Sequence, residues 1–232
     1  MLKILKKQGL EPKGVNDLKV LHLVGKSTNA AEPTSIQDFT LFFSEVSPYL
    51  AAEILDLNNA QSDRFFKAYD VAKSILKALH IYPISSEEKK ETLDIDEFET
   101  GYPKMTLSFL IDVSNMLLNK VSKTSEYDPY NDFLKVDKVK NILNLLIEKL
   151  KTDSSTSWRA LLSKLWKVHK TKIFDQEAGQ IDYDKLLEPG NVTIIDLNDT
   201  ASTLINNLVI SSILRKLQLK KNELYEKEVS EK

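Results

Sequence analysis

The sequence predicts a helix-rich α/β protein, and three observations support this fold class. Residues 192–195 are a run rich in β-branched side chains with little alternation, which is typical of a strand covered on both faces. Residues 18–24 form a second strand pattern near the amino terminus. Between these two segments, apolar residues recur at the i, i+3, i+4, i+7 spacing of amphipathic helices.

Composition narrows the classes of function. Of 232 residues, 42% are hydrophobic and 28% are charged, which is usual for a globular protein. The formal net charge of −2 gives no strong overall attraction to nucleic acid or to anionic membranes, although a local basic face stays possible. The absence of cysteine rules out disulfides, iron–sulfur clusters, thiolate zinc sites and cysteine nucleophiles.

Targeting and cofactor signals are also scarce. The three histidines share no metal-ligand spacing, so we expect no zinc site. Six glycines are few for a protein with phosphate-binding loops. We find no apolar run long enough to span a bilayer, and residues 1–7 lack the apolar region of a signal peptide. We therefore expect a cytoplasmic protein without a membrane partner.

The amino-terminal third contains two predicted strands and two predicted helices. Strands are expected at residues 18–24 and 36–43, joined by a polar loop. Ser47 and Pro48 are typical of a helix N-cap and first helical position, so a helix should follow and end near residue 58. A second helix should begin at Ser62 and end before Pro83, because a proline disfavours helix in the residue before it.

The remaining elements follow from periodicity and turn chemistry. After an acidic connector at residues 84–104, the predicted helices are at 105–122, 134–151, 158–166 and 200–224. The turn Pro189-Gly190-Asn191 precedes the strand at 192–197. We predict an α/β platform made of residues 1–44 and 171–232, interrupted by a helical insertion domain at 45–170.

Two short motifs imitate ligand-binding loops and fail on spacing. Gly25-Lys26-Ser27-Thr28 follows a strand, but a phosphate loop needs another glycine at position 20, which is Val20, and a helix after the loop. Residues 94–101 resemble a calcium loop, but Glu99 stands where the sharp turn needs glycine. We interpret the first as a turn and the second as a solvated loop.

Asp196 is the strongest candidate for a nucleotide or metal neighbour. It lies at the carboxyl end of the predicted strand at 192–197, and ligands of open α/β sheets bind at the carboxyl ends of strands. It could hold Mg²⁺ through water or orient a phosphate. It could also cap the helix starting near Thr200 or bind neighbouring backbone N–H groups, and we favour this structural interpretation because no second acid adjoins it.

Basic residues provide a candidate DNA-contact surface. Trp158 and Trp166 lie eight residues apart on a predicted helix, a spacing more typical of a core stripe than of a base-stacking platform. Cations near helix C-termini are also favoured by the helix dipole, which is the simpler explanation of these lysines. The candidate phosphate contacts are Lys164, Lys167, Lys170, Lys172, Lys216 and Lys220.

Residues 186–197, Leu-Leu-Glu-Pro-Gly-Asn-Val-Thr-Ile-Ile-Asp-Leu, and the helix after them resemble the HerA/FtsK-like ATPases. Residues 18–24 and 39–50 are similar to the strand, loop and helix entry of the same family. The resemblance implies a partial RecA-like sheet interrupted by a helical insertion. It also implies a homohexameric DNA translocase that holds DNA in a central channel, uses ATP and Mg²⁺, and works with a NurA-like nuclease.

This chain differs from the family in ways that limit which of the family's activities we expect of it. The family's Walker A loop lies before the matched region, and its Walker B Asp-Glu pair and arginine finger lie after it, so we expect this chain to lack all three. Asp196 matches a family position that is not the Walker B acid. We therefore carry over no catalytic residue, and expect neither a cofactor nor ATP hydrolysis in this chain alone. A stand-alone helical protein-interaction module and a nucleic-acid-binding accessory protein are the alternatives.

Overall fold

The computed structural model describes residues 7–9, 18–30, 35–82, 102–123, 127–148, 154–200 and 202–230. Residues 94–101 and most of the predicted connector at 84–104 lie outside these ranges. The chain divides into two compact units. Unit 1 comprises Met1–Phe39, Ala178–Ser202 and Ile213–Lys232, and unit 2 comprises Thr40–Glu177 and Thr203–Ser212.

Unit 1 contains a parallel sheet of three strands, β1 (Leu18–Leu23), β2 (Ser35–Phe39) and β3 (Val192–Asp196). The strand order is β2-β1-β3, and both pairings are parallel. All three predicted strands are confirmed, although β2 ends four residues before the predicted residue 43. The helix-rich α/β class is confirmed at this level.

The central strand β1 is buried and the edge strand β3 is not. In β1, Val20 and Leu21 are almost inaccessible. In β3, Val192 is 40% exposed and Ile194 is 47% exposed, so the prediction of a strand covered on both faces was wrong. The physical reason is the strand order, since in the described part of the chain β3 pairs with β1 alone and keeps its outer edge and part of one face accessible.

Two helices complete the described part of unit 1. The short α6 (Tyr183–Leu187) precedes β3, and α7 (Thr203–Ser230) follows it and continues six residues beyond its predicted end at 224. Only the part of α7 from Ile213 onward belongs to unit 1, and Thr203–Ser212 belongs to unit 2. Lys216 lies over the Tyr183 ring at 5.3 Å, and the Lys220 ammonium is 3.2 Å from Asp184. These two lysines, one turn apart, hold α6 against α7.

The apolar side of α7 that is exposed differs from the expected one. From sequence, we expect the last helix to expose an apolar side made of Ile205, Leu208, Ile213 and Leu217. Leu208 and Ile213 are buried, and Ile205 and Leu217 are half-buried. Ile210 and Leu214 are exposed instead, the latter by 60%. At 100° per residue Ile210 lies about 160° and Leu214 about 120° from Leu208 around the helix axis, so the expectation chose the wrong face.

Unit 2 is built from helices. They are α1 (Pro48–Ile54), α2 (Asn59–Ala78), α3 (Leu107–Ser122), α4 (Asp137–Glu148) and α5 (Ser155–His169), with 3₁₀ turns at Phe43–Glu45 and Asp132–Lys135. Helices α2, α3 and α5 pack on one another, and α4 packs against α2. All five predicted helices are confirmed, with ends shifted by a few residues. None of the described helices of the chain is long and apolar enough to cross a bilayer.

Side-chain caps determine where two of these helices begin. The Ser47 hydroxyl accepts a hydrogen bond from the Leu50 N–H at 3.2 Å, as the sequence predicts. The predicted start of α2 at residue 62 was late, because Asn58 and Gln61 form a capping box with bonds of 3.0 and 3.2 Å. This reciprocal pair satisfies two donors that the helix start would leave open.

A buried carboxylate, Asp112, organises the turn after α3. It is fully inaccessible and accepts four hydrogen bonds: from the Tyr127 hydroxyl at 2.8 Å, the Tyr130 N–H at 3.2 Å, the Asn131 N–H at 2.9 Å and the Asn131 amide at 2.5 Å. Burial, together with the bond to Asp112, raises the pKa of the Tyr127 hydroxyl. The described part of the turn, residues 127–131, is therefore fixed to the middle of α3.

A second carboxylate, Asp175, joins two segments of unit 2. One oxygen accepts the Phe43 N–H at 3.1 Å and the other accepts the Leu107 N–H at 3.0 Å. Burial raises the pKa of Asp175, and these two bonds oppose the rise only in part. Asp175 therefore holds the 3₁₀ turn at Phe43–Glu45 close to the first turn of α3.

Candidate functional site

The candidate site lies at the carboxyl edge of the sheet in unit 1. Because β1 and β3 are parallel, the loop after β1 and the residues after β3 meet at this edge. Asp196 accepts a hydrogen bond from the Thr28 hydroxyl at 2.6 Å, and Asp199 accepts one from the Ser27 N–H at 2.9 Å. Two carboxylates thus hold the loop that follows the central strand.

Asp196 uses both of its oxygens within the protein. The second oxygen accepts the Asn198 N–H at 3.0 Å, which forms a local turn. The Thr28 hydroxyl holds the pKa of Asp196 below its usual range. Helix α7 begins only at Thr203, so Asp196 does not cap it and that part of the structural interpretation was wrong. The contact with a neighbouring backbone N–H is present.

The loop after β1 is a turn held by protein groups. Gly25 adopts a φ of +70°, a conformation that favours glycine, and the Lys26 N–H donates to the Leu23 carbonyl at 3.0 Å. The Ser27 N–H, which a phosphate loop would direct at its ligand, is bound by Asp199. The bond to Ser27 also keeps the pKa of Asp199 below its usual range.

The electrostatics of this edge are mixed. His22 lies opposite Asp196 in the β1–β3 register, and its charge contributes, as the smallest cause, to the lowered pKa of Asp196. Lys26 acts in the same direction on Asp199. Among the described residues, no three acidic or histidine side chains are close enough to hold a metal ion. To bind the two carboxylates through water, a hydrated Mg²⁺ would have to replace the hydrogen bonds that Asp196 and Asp199 now accept.

The candidate DNA-contact lysines fall in both units. Lys164, Lys167, Lys170 and Lys172 belong to unit 2, at or after α5, whereas Lys216 and Lys220 belong to unit 1. The Lys164 ammonium donates to the Asp56 carbonyl. Lys167 lies in the last turn of α5, as the helix-dipole explanation expects.

That explanation does not fit the two lysines of α7. Lys216 and Lys220 lie in the middle of this long helix, where the dipole has little effect. Their contacts with Tyr183 and Asp184 give them a packing role within unit 1. Two pairings, with Asp184 and Glu223, raise the pKa of Lys220.

An aromatic cluster in unit 2 was not predicted from sequence. Trp158 is buried, as a core residue should be, but Trp166 is only half-buried. The Trp166 ring lies 6.1 Å from that of Tyr130 and 5.2 Å from that of His169, both edge to face. Tyr130 is 72% exposed. The contact between Trp166 and Tyr130 joins residues that are distant in sequence, so the sequence did not reveal it. The contact between Trp166 and His169 could have been predicted, because the two residues lie one turn apart on the same helix.

The chain matches no protein-family model, no curated protein and no solved structure.

Proposed function

We propose that the chain is the central, helix-rich region of a HerA-like DNA-translocating ATPase, with a partial RecA-like sheet that carries a helical insertion. One observation carries the proposal. The segment that most resembles the family ends in β3, and β3 pairs in parallel with β1 and places Asp196 beside the loop after β1. Ligands of open α/β sheets bind at this edge.

The accessible edge of β3 supports a sheet that continues in a longer protein. Val192 and Ile194 are exposed on a strand whose outer side has no partner among the described residues. Unprotected apolar edge strands are rare in isolated domains, because they attract other strands. In the proposed ATPase, a further strand or a neighbouring protomer covers this edge.

The roles proposed for this chain and for the whole protein follow from the chemistry of phosphoryl transfer. Phosphoryl transfer requires a phosphate-binding loop and metal ligands, which the family resemblance locates outside this region. The chain by itself then hydrolyses no ATP, while the whole protein uses ATP and Mg²⁺ as a homohexamer around DNA, with a NurA-like nuclease as partner. Thr28, Asp196 and Asp199 position the loop after β1 within that larger core.

Unit 2 offers the surface for DNA in this proposal. Lys167 and Lys170 lie at the carboxyl end of α5, where the Trp166 ring contacts the exposed ring of Tyr130. Lysines contact phosphates, and exposed aromatic rings stack on bases when strands separate. The combination favours DNA contact at this end of the helix.

The decisive experiment uses the complete reading frame that encodes the chain. We expect a phosphate loop encoded before residue 1, an Asp-Glu strand after residue 232, and ATP hydrolysis by the whole protein that DNA stimulates. Native mass spectrometry should find a hexamer. A reading frame without those two motifs, or a purified product that hydrolyses no ATP with DNA present, would refute the proposal.

The isolated chain provides a second test. DNA binding, measured by fluorescence anisotropy, should weaken as salt rises and should fall in a Lys167→Glu, Lys170→Glu double variant. A matched Lys185→Glu, Lys221→Glu variant in unit 1 should bind as the native chain does. Absence of binding at low salt, with no change in melting temperature on adding ATP and Mg²⁺, favours the stand-alone interaction module instead.

A further inference from the structure

A large open cavity lies in unit 2. It has a volume of about 770 Å³ and is lined by residues of α3, of the segment 127–135 and of α4. Pockets for small organic molecules usually have volumes of about 300–1,000 Å³. Apolar side chains and lysine side chains both line the cavity, and the two groups suit different parts of a ligand.

One wall of the cavity is apolar. Met116 of α3, Leu134 of the 3₁₀ turn and Leu143 of α4 line it, with the ring of Pro129 beside them. Leu134 and Leu143 are almost inaccessible and back this wall from the core, so half-buried Met116 supplies its accessible apolar surface. Methionine adapts its shape to planar groups, so this wall suits a flat apolar group such as a nucleobase.

The rim of the cavity is cationic. Four lysines and one aspartate line it. Lys135 is paired with Asp128 at 3.4 Å and with Asp132 at 3.2 Å, so its charge is compensated locally. Lys120, Lys123 and Lys140 also line the cavity and form no ion pair among the described residues, so their uncompensated charges favour an anion there.

The cavity wall is formed before any ligand arrives. Tyr127 lines the cavity, and its hydroxyl is bound to the buried Asp112. Asn131 is held by the same carboxylate, which fixes the turn that carries Pro129. Lys123 closes α3 in a left-handed conformation, with φ of +50°. A wall fixed in this way loses little conformational entropy on binding.

We propose that this cavity binds a small organic phosphate of mononucleotide size, with the planar group against Met116 and the phosphate at Lys120, Lys123 and Lys140. The inference goes beyond DNA translocation and does not depend on it, because the cavity lies wholly within unit 2. The ligand needs both a phosphate and a planar apolar group, since the lysines match only the phosphate and the apolar side chains match only the planar group.

Isothermal titration of the full chain with adenosine 5′-monophosphate tests the proposal. We expect saturable binding that weakens as salt rises, and much weaker binding of adenosine alone or of inorganic phosphate alone. A Lys120→Gln, Lys123→Asn, Lys140→Gln variant should bind about tenfold more weakly, because each exposed pairing contributes only a little. Asparagine is chosen at position 123 because it tolerates the left-handed conformation.

Two controls separate the cavity from general effects of charge and folding. Lys73→Gln, Lys77→Gln removes positive charge from the same unit at residues that do not line the cavity, and should leave the affinity unchanged. Met116→Ala removes the accessible apolar contact without changing charge and should weaken binding about fourfold or more, while circular dichroism confirms that each variant is folded.

Three results would overturn the proposal. The first is no heat of binding at millimolar nucleotide, and the second is an affinity that the triple lysine variant does not lower. The third is binding of an oligothymidylate through the same three lysines without binding of the mononucleotide, which would make the cavity a nucleic-acid site.

Discussion

Replacing Asp112 with alanine should destabilise unit 2 more than any surface substitution near it. The change leaves four donors without their acceptor. Tyr130 is largely exposed, so its N–H can bind water instead, but the other three donors belong to half-buried residues. At about 1 kcal/mol or slightly more for each lost bond, the free energy of unfolding should fall by about 3–4 kcal/mol.

Asparagine at the same position gives an intermediate result. The amide oxygen still accepts bonds on one side, from Tyr127 and Tyr130, but its NH₂ group faces the two donors of Asn131. Two bonds are lost, both from half-buried Asn131, against three costly ones in the alanine variant, so the loss of stability should be about two-thirds that of alanine. The order native, Asp112→Asn, Asp112→Ala then tests the hydrogen-bond account against a simple effect of side-chain size.

Urea unfolding followed by tryptophan fluorescence measures this directly. Both tryptophans, Trp158 and Trp166, belong to unit 2, so their emission monitors that unit alone. Asp128→Ala is the matched control, because this aspartate lies on the same turn with an 85% exposed side chain and should be replaceable without measurable loss. A fall of less than about 1 kcal/mol for Asp112→Ala would refute the reasoning.

Three further predictions test other contacts. Burial raises the pKa of Asp175, so the folded unit binds a proton at this carboxyl more tightly than the unfolded chain does. The stability of the native protein relative to the Asp175→Asn variant should therefore rise as the pH falls from neutral. A difference in stability that does not change with pH would contradict this. Thr28→Val should raise the pKa of Asp196 towards its usual value in a carboxyl NMR titration, because the hydroxyl is the main cause of its lowering. Val20→Ala should lower stability by about 2 kcal/mol, whereas Val192→Ala on the same face of the sheet should cost less than half as much by thermal melting; equal losses would disprove the edge position of β3.

Much of the secondary structure could be predicted because its signals are local. Helix α1 followed from Ser47 and Pro48, whose cap and fixed φ act within one turn. Strand β3 followed from its turn and its β-branched run. The start of α2 was misplaced because Asn58 and Gln61 act as a pair, and only their reciprocal bonds identify the helix start.

Contacts between distant residues could not be predicted. The edge position of β3 depends on which strands pair, and the pattern of the strand alone does not reveal its neighbours. Asp112 lies in an otherwise apolar stretch of α3, which could have marked it as a buried acid, but its partners come from a separate turn. The sequence indicated Asp196 as a candidate, whereas its hydrogen bond to Thr28 required the parallel pairing of β1 and β3.

The pairing of β1 with β3 also has a consequence for synthesis on the ribosome. Thr28 and Asp196 are 168 residues apart, so at 5–20 residues per second the partner strand emerges roughly 10–30 s after β1. During that interval β1 can pair with β2, but its other edge stays available to foreign strands. Helical contacts in unit 2 are mostly closer in sequence and form faster, so the nascent sheet is the stage at which a chaperone would have most effect.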